Sequence, residues 1–257
     1  MSHIPHALGV NLKNRAKRLL RRFGFDVVRT RDVRGGVDEF IPHEPTLEAA
    51  RKAGMSVGDY IDHVMSGTPG ATEASIDAMR THGVFATGPT TVLEIGPGSG
   101  RYLDRTLREC EPDHYEIYET AQSWADYLVR EYGVVAQPTA GCNLGSTADS
   151  SIDLVHAHKV FNTVTFLCTS RYLPEMARVT RPGGWVVLDA MTEACLDIAT
   201  VDTWARFGGE GHDSYPSPLP RQVCQDVLAA HDCHLEASEI VPMGVGVTEL
   251  LIFRKTA

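Results

Sequence analysis

The sequence has few cysteines, and they show none of the spacings that build a disulfide framework or a metal site. Six cysteines are scattered through 257 residues, with no CxxC pair and no regular interval between them. A chain of this length can bury a full hydrophobic core and does not need disulfides for its stability. These features predict six reduced thiols in an intracellular protein.

Long apolar runs are also missing. The first residues contain no apolar segment of secretory length, and no run reaches the roughly 18 apolar residues that a membrane-spanning helix needs. The hydrophobic content of 43% and the mean hydropathy of −0.15 are typical of a soluble globular protein. We therefore expect a cytoplasmic location.

Positive charge is scarce beyond the first 31 residues. The chain has 24 Lys and Arg against 33 Asp and Glu, for a net charge of −9. Residues 1–31 hold eight Lys or Arg and one acid, a net charge of +7, which leaves −16 for the rest. An acidic body argues against nucleic acid as a partner, because binding along a phosphate backbone needs a basic surface.

The basic residues lie on a predicted amphipathic helix from Asn11 to Phe23. Leucines, an alanine and a phenylalanine recur there at helical spacing, and Lys and Arg fill the opposite face. The segment is either a solvated arm that packs on the body or a peripheral contact for an anionic membrane or a phosphate-bearing substrate. A linker over residues 32–45 and short helices up to residue 82 follow, and these helices cover a sheet edge or form a lid.

Three glycines mark the part of the chain on which the functional argument depends. A buried strand from Val92 to Ile95 runs into Gly96, Gly98 and Gly100, and a helix begins near Tyr102. Glycines let the backbone turn sharply and approach a ligand that side chains would block. A strand, a glycine turn and a helix N-terminus together form a nucleotide-type pocket, although steric needs alone explain many such glycines.

An acid ends the next predicted strand. Tyr115 to Glu119 alternate as a strand, and Glu119 lies 19 residues beyond Gly100. At that separation a carboxylate at the strand tip can accept two hydrogen bonds from a ribose diol. The alternative for Glu119 is a helix cap or a surface acid.

Helices and strands then alternate, which predicts an α/β fold. Further strands are expected at 134–136, 152–158 and 185–189, and a Pro-Gly-Gly turn at Pro182 should end the helix before the last of these. Such alternation gives right-handed crossovers and a doubly wound parallel sheet. The strands 235–241 and 247–253 are joined by so short a turn that they must pair antiparallel.

Taken together, residues 70–257 resemble class I S-adenosylmethionine-dependent methyltransferases. The matching pieces are the glycine loop from Glu94 to Gly100, the strand-tip Glu119, the fourth strand with Asp153, the turn at 181–185 and the terminal hairpin. The resemblance implies a Rossmann-like, seven-stranded sheet with its last strand antiparallel, preceded by an N-terminal helical extension over residues 1–69. It also implies S-adenosylmethionine as methyl donor and S-adenosylhomocysteine as product.

The resemblance assigns residues to the donor. Gly96, Gly98 and Gly100 would approach its methionine and ribose parts, Glu94 would anchor the loop or meet the amino group, and Glu119 with the adjacent Thr120 would hold the ribose. The acid that the family often has after strand three is absent from residues 139–144. The adenine then falls to backbone groups near Gly141 and Cys142, or to Asn143.

Candidates for the chemistry follow strands four and five. Methyl transfer to a hydroxyl needs alignment and removal of a proton near neutral pH. His158, at the end of strand four, is the preferred base and also borders the donor; a histidine satisfied inside the core is the alternative. Lys159 could stabilise charge on the acceptor, and Asp189 could orient its hydroxyls. Asp189, Glu193 and His158 offer too few carboxylates for a hard cation, so no metal is expected.

The acceptor is predicted to be a small molecule. The loop 192–220 carries Trp204, Phe207 and Tyr215, which suit stacking on a flat or sugar-like acceptor, and His212 is a second candidate base.

Strand four lacks the Asn/Asp-Pro-Pro-aromatic motif of nucleic-acid amino-methylating enzymes of this fold. The chain is more similar to bacterial methyltransferases of glycan or natural-product assembly. We therefore expect O-methylation of a sugar, a glycan or a natural product. N-methylation, carboxyl methylation and a non-catalytic binding role remain as alternatives, whereas the terminal hairpin argues against an oxidoreductase.

Overall fold

The computed structural model describes residues 41–207, 217–244 and 246–256, with the backbone alone for 203–207. These residues belong to one compact unit that extends from Val37 to Ala257. The predicted basic helix at 11–23 and most of the linker lie outside the described residues.

Helices and strands alternate along the described chain. The helices are α1 (His43–Ala53), α2 (Val57–Tyr60), α3 (Ala71–Thr81), α4 (Arg101–Cys110), α5 (Gln122–Tyr132), α6 (Phe166–Val179), α7 (Ile198–Phe207) and α8 (Arg221–Ala229). The strands are β1 (Thr91–Ile95), β2 (His114–Tyr118), β3 (Val135–Ala136), β4 (Ile152–Ala157), β5 (Thr180–Ala190), β6 (Cys233–Met243) and β7 (Gly246–Lys255). A π-helical turn, Ile61–Met65, continues α2, and 3₁₀ turns occupy Phe85–Thr87 and Glu193–Cys195.

The strands form one seven-stranded sheet in the order β3-β2-β1-β4-β5-β7-β6. Strands β1 to β5 are parallel, and β7 runs antiparallel to both β5 and β6. At the carboxyl end of the sheet Ile95 pairs with Tyr118 on one side and with Ala157 on the other. The predicted α/β, Rossmann-like sheet with its antiparallel last strand is confirmed.

Each face of the sheet carries an apolar core. On one face α6 and α8 bury Leu173, Met176 and Leu228. On the other face α3, α4 and α5 do the same, and Ile76 and Met79 of α3 are fully buried as their spacing predicts. Each such side chain contributes about 2 kcal/mol by leaving water. Loops at the carboxyl ends of the strands are thus held by a rigid, doubly covered sheet.

Asp153 closes the opposite, amino end of the sheet. Its carboxylate accepts hydrogen bonds from the backbone N–H groups of Thr90 and Thr91, at 2.8 and 3.0 Å, and pairs with Arg181. The backbone packs closely at Gly184, where any side chain would clash, because a Cβ there would lie 2.9 Å from the carbonyl oxygens of Arg181 and Asp153. The turn at 181–184 therefore serves the sheet and not the ligand end.

The short N-terminal helices pack against α4 and α5. The Ser56 hydroxyl caps α2 by accepting the N–H of Asp59. The π-helical turn brings the buried Asp62 within 2.6 Å of Arg101, which directly follows the glycine loop. Trp124 of α5 donates its indole N–H to the Ile41 carbonyl. These contacts place the helices beside the glycine loop.

Two element predictions are wrong in their bounds. The sequence pattern predicts that the helix before Pro182 begins at Leu173, but α6 begins at Phe166, where Thr165 caps it, and it includes Pro174. It ends at Val179 before Pro182, which lies inside the first part of β5. The stretch 192–220, expected as a loop, contains a 3₁₀ turn and α7. Pro182, Gly183 and Gly184, predicted as a turn, belong to β5, whose pairing with β4 is irregular between Ile152 and Leu154.

The expectation of six reduced thiols is also wrong, because Cys142 and Cys168 form a disulfide. Their separation of 26 residues carries no sequence signal. The pair meets because the loop after β3 packs on the first turn of α6. The other four cysteines are free, and burial raises the pKa of Cys110 and of Cys224 to about 12, which makes them unreactive thiols.

Candidate functional site

The carboxyl ends of β1, β2 and β4 bring the glycine loop, Glu119 and His158 to one edge of the sheet. Adjacent parallel strands end side by side, so loops distant in sequence meet there. The order of strands makes β1 the central member, with β2 and β4 as its neighbours.

Gly98 is the glycine of the loop that faces open space. All three glycines have a positive φ, between 53° and 79°, which side chains rarely adopt. A Cβ at Gly96 would lie 2.8 Å from Val160, and one at Gly100 would lie 2.4 Å from Leu128. A Cβ at Gly98 would meet nothing within 4 Å. Packing therefore requires the outer two glycines, and the middle one leaves room for a ligand against the backbone.

Glu119 lies next to that opening, immediately after β2. One carboxylate oxygen accepts the N–H of Gly98 at 2.7 Å, and the other accepts the N–H of Ala121 at 2.8 Å. The carboxylate is thereby fixed in orientation beside the opening at Gly98. This arrangement fits the ribose diol of an adenosyl donor. The neighbouring Thr120 is exposed.

Glu94 lies beneath the loop and belongs to a buried hydrogen-bond network. Tyr115 donates its hydroxyl to Glu94 at 2.7 Å, and the tyrosine oxygen lies 2.9 Å from Nε2 of His156. Burial raises the pKa of Glu94 to about 8, so the carboxyl is neutral at pH 7. These contacts join Glu94 to β2 and β4, and both roles predicted for this residue, loop anchor and contact with the donor amino group, stay predictions.

The segment after β3 is tied to α6. Tyr172 donates its hydroxyl to the Gly141 carbonyl at 3.3 Å, and Cys142 is bonded to Cys168. Asn143 closes its own turn, since its amide donates to the Ala140 carbonyl and accepts the N–H of Gly145. Recognition of an adenine here would rest on backbone groups of the tied segment.

His158 directly follows β4 and is buried, with 4% of its surface exposed. Its ring stacks on Tyr102, with centroids 4.2 Å apart and an angle of 17° between the planes. Neither ring nitrogen has a hydrogen-bond partner in the described part of the chain. Burial lowers the pKa of His158 to about 4, against the opposing effect of the Asp189 carboxylate. The imidazole is neutral at pH 7, so one nitrogen can accept a proton or a hydrogen bond.

Asp189, at the end of β5, is bound by Lys159 and Thr248. Its two oxygens accept the backbone N–H and the ammonium of Lys159, each at 2.5 Å, and the Thr248 hydroxyl donates to it at 2.7 Å. Burial alone would raise the pKa of Asp189, but the Lys159 charge holds it below its usual value. The structure thus places Lys159 and Asp189 near His158 and joins them by an ion pair.

Among the other predicted positions that the structure describes, Glu193 does not join this group. Glu193 is exposed and accepts the N–H of Arg221 at 3.0 Å. His212 and Tyr215 lie outside the described residues, as do the side chains of Trp204 and Phe207. Within the described ranges no three His, Cys, Asp or Glu side chains cluster as a metal site would require, and no helix there is long and apolar enough to cross a membrane.

Two further residues of the site carried little sequence signal. Tyr102 begins the helix after the glycines, where its ring could have been taken as an ordinary core residue. Thr248 reaches the site only through the register of β7, in which Ala190 of β5 pairs with Glu249 and Asp189 with Leu250. No local pattern predicts that register.

A cavity of about 360 Å³ borders the end of the glycine loop. It lies between α1 and α2 on one side and α4 and α5 on the other, and it reaches Ser99, Gly100 and Arg101. Neither Glu119 nor His158 lines it. The cavity is therefore a neighbour of the site and not its centre.

Comparison with known proteins supports a methyl-transferring domain. The family model described as "Methyltransferase domain" matches residues 93–188, which hold the glycine loop, Glu119 and His158. No curated protein sequence matches the chain.

Solved structures share the fold. The N-methyltransferase NodS from Bradyrhizobium japonicum WM9, solved with S-adenosylhomocysteine, is 14% identical with a TM-score of 0.54, over 72% of this chain and 87% of that one. The 1,6-didemethyltoxoflavin-N1-methyltransferase of Burkholderia thailandensis is 15% identical with a TM-score of 0.54, over 86% and 94%. Magnesium protoporphyrin IX methyltransferase from Synechocystis PCC 6803 is 11% identical with a TM-score of 0.54, over 95% and 100%. At these identities the likeness establishes the fold.

Proposed function

Because the chain has the fold of class I S-adenosylmethionine-dependent methyltransferases and carries a methyltransferase domain, we propose that it methylates a small molecule. The acceptor group is a hydroxyl of a sugar, a glycan or another natural product, and His158 accepts its hydrogen bond and then its proton. Glu119 and the glycine loop hold the donor.

The observation that carries this proposal is the isolation of the His158 ring nitrogens. A buried polar atom without a partner costs about 1–3 kcal/mol, so native proteins rarely keep one without a reason. Both nitrogens of His158 are in this state within the described chain. The ring also lies at the carboxyl end of β4, the strand next to the glycine loop. A bound acceptor would supply the missing partner.

The chemistry fits a neutral imidazole of low pKa. When bound, S-adenosylmethionine supplies a methyl group on a positively charged sulfonium. His158 accepts a hydrogen bond from the acceptor hydroxyl and so points the oxygen lone pair at the methyl carbon. The oxygen becomes far more acidic as its bond to carbon forms, so the proton moves to the imidazole late in the reaction. Burial of the site keeps water away from this nitrogen.

The donor half of the proposal rests on Glu119 and Gly98. The open space at Gly98 and the fixed carboxylate form a cradle for a ribose and its adjoining chain. Glu94 is neutral and buried and shapes the loop from below. The rest of the donor set, Gly96, Gly100, Thr120, Cys142 and Asn143, belongs to the same edge and stays a prediction.

Methylation of a small-molecule amine is the second candidate. Two of the solved structures that share the fold are those of an N-methyltransferase and an N1-methyltransferase. An amine needs less help from a base, because its lone pair is already nucleophilic, and the low pKa of His158 is compatible with that. Carboxyl methylation places even smaller demands on the base.

Partners and location complete the proposal. A small molecule is the proposed partner, and nucleic acid is not, given the acidic body. The proposed contact of residues 11–23 with an anionic membrane or a phosphate-bearing substrate lies outside the described residues. A cytoplasmic location is retained as a proposal, because four of the six cysteines are free thiols, although the Cys142–Cys168 disulfide is of a kind that is rare in the cytosol.

The test is formation of S-adenosylhomocysteine in the presence of panels of sugars, phenols, amines and carboxylic acids. We expect turnover with a hydroxylated acceptor and none without it, and the Glu119→Ala variant should lose that turnover at donor concentrations that saturate the wild type. Turnover with amines alone would favour the second candidate. Donor binding without turnover on any panel would support a non-catalytic binding protein.

A further inference from the structure

The end of β4 is held by a three-residue clamp formed by Lys159, Asp189 and Thr248. The Lys159 ammonium lies 2.5 Å from an Asp189 oxygen and 2.6 Å from the Thr248 hydroxyl. Asp189 and Thr248 are fully buried, and the Lys159 side chain is 10% exposed. The clamp joins three adjacent strand ends, those of β4, β5 and the start of β7.

The clamp also fixes a backbone conformation that a lysine rarely adopts. Lys159 has a φ of 59°, in the left-handed region that costs a side-chain-bearing residue about 1 kcal/mol or more. Its backbone N–H donates to Asp189 at 2.5 Å. The Asp189 carboxylate therefore binds both the backbone N–H and the side-chain ammonium of Lys159. The backbone turn at Lys159 sets the direction in which the preceding residue, His158, leaves the strand.

We propose that Lys159 is a positioning residue for His158: held by Asp189 and Thr248, it fixes the turn that stacks the imidazole on Tyr102 and keeps a positive charge next to the ring. The inference deepens the proposed function and rests on it where catalysis is concerned. Asp189 then acts through Lys159 and does not touch the acceptor.

Several charged or titratable groups face His158. Its own strand supplies His156, with ring centroids 5.2 Å apart, and Lys159. Helix α4 supplies the stacked Tyr102 and Arg101, and β5 supplies Asp189. Lys159 and Arg101 lower the pKa of His158, and Asp189 raises it. The Lys159 and Asp189 charges therefore shift the pKa of His158 in opposite directions, while burial is the main cause of its low value.

The experiment is a titration of histidine resonances by NMR in the donor-free protein, with His158 assigned from a His158→Gln variant. Lys159→Gln keeps hydrogen-bond donors for Asp189 and Thr248 but removes the charge, and it should raise the pKa of His158 by about 1 unit or more. Lys159→Met should do the same if it folds. The exposed Lys52→Met is the matched control and should leave the titration unchanged. An unaltered His158 pKa in the folded Lys159→Gln protein would overturn the inference.

The same NMR spectra also test whether Lys159 and Asp189 fix the orientation of the His158 ring. Stacking on Tyr102 should shift the His158 ring protons upfield, and Asp189→Asn should reduce that shift because the turn is no longer held at both ends. Retention of the full upfield shift would contradict a positioning role. Neither measurement needs the donor or the acceptor. If His158→Ala retains methyl transfer, His158 is not the base, but the two NMR measurements can still confirm that the clamp positions its ring.

Discussion

The rings of His158 and Tyr102 are stacked at a centroid distance of 4.2 Å, between the end of β4 and the first turn of α4. Tyr102 follows the glycine loop by two residues, so the stack connects the donor side of the site to the proposed base. The stack covers one face of the imidazole and so restricts its rotation.

Removal of the stack should lower turnover without weakening donor binding. The Tyr102→Leu variant leaves the His158 ring free to reorient, and we expect kcat to fall by about tenfold or more. The Tyr102→Phe variant keeps the ring and loses a hydroxyl that has no hydrogen-bond partner in the described chain, so its kcat should stay within about twofold of wild type. Equal losses in the two variants would point to the hydroxyl and away from the stack.

Replacement of Glu119 should weaken the donor. Hydrogen bonds to a charged group contribute about 1.5–3 kcal/mol, so Glu119→Ala should raise the donor Kd by about 10- to 100-fold or more in calorimetry. Glu236→Gln, an exposed acid on the edge strand β6, is the matched control and should bind as the wild type does. An unchanged Kd in a folded Glu119→Ala protein would remove the ribose assignment.

The buried Glu94 should make stability depend on pH. Its pKa is about 8 in the folded protein against 4.5 for a free glutamate, mainly because of burial. The folded state therefore holds the proton more tightly than the unfolded state does. The resulting contribution to the free energy of unfolding is fully present below pH 4.5 and is lost as the pH rises toward 8. Glu94→Gln keeps the acceptor for Tyr115 and does not titrate. Its free energy of unfolding, relative to wild type, should thus increase between pH 5 and pH 8, by on the order of 3 kcal/mol.

Denaturant unfolding at pH 5, 6.5 and 8 measures this difference. Parallel pH dependence of the two proteins would show that Glu94 ionises normally despite its burial.

The Cys142–Cys168 disulfide should stabilise the fold. It closes a loop with a sequence separation of 26 residues, for which the loss of chain entropy in the unfolded state corresponds to about 3 kcal/mol. Dithiothreitol should lower the free energy of unfolding of the wild type by this amount. The Cys142→Ser/Cys168→Ser variant should be less stable and unaffected by the reductant, and Cys110→Ser should respond as the wild type does. Six reactive thiols in the unreduced, denatured protein would contradict the pairing.

The sequence predicted the features that depend on local pattern. Strands, helices and the glycine loop follow from apolar periodicity and from positions that need a positive φ, and Glu119 follows from its distance to that loop. The Cys142–Cys168 pair, the Lys159–Asp189–Thr248 clamp and the Tyr102 stack join residues that are far apart in the chain or on different elements. Their contacts depend on strand register and helix packing, which no local pattern records. The start of α6 was missed for a similar reason, because Pro174 lies inside a helix that tertiary contacts support.

Substitution of His158 tests the central claim most directly. Donor binding by calorimetry and S-adenosylhomocysteine formation with a responsive acceptor are measured for the wild type and His158→Ala, with the exposed His234→Ala as control. General-base assistance is worth about 100-fold or more, so His158→Ala should bind the donor with little change and lose methyl transfer by that factor, while His234→Ala should keep both. Methyl transfer by His158→Ala at the wild-type rate would contradict the account.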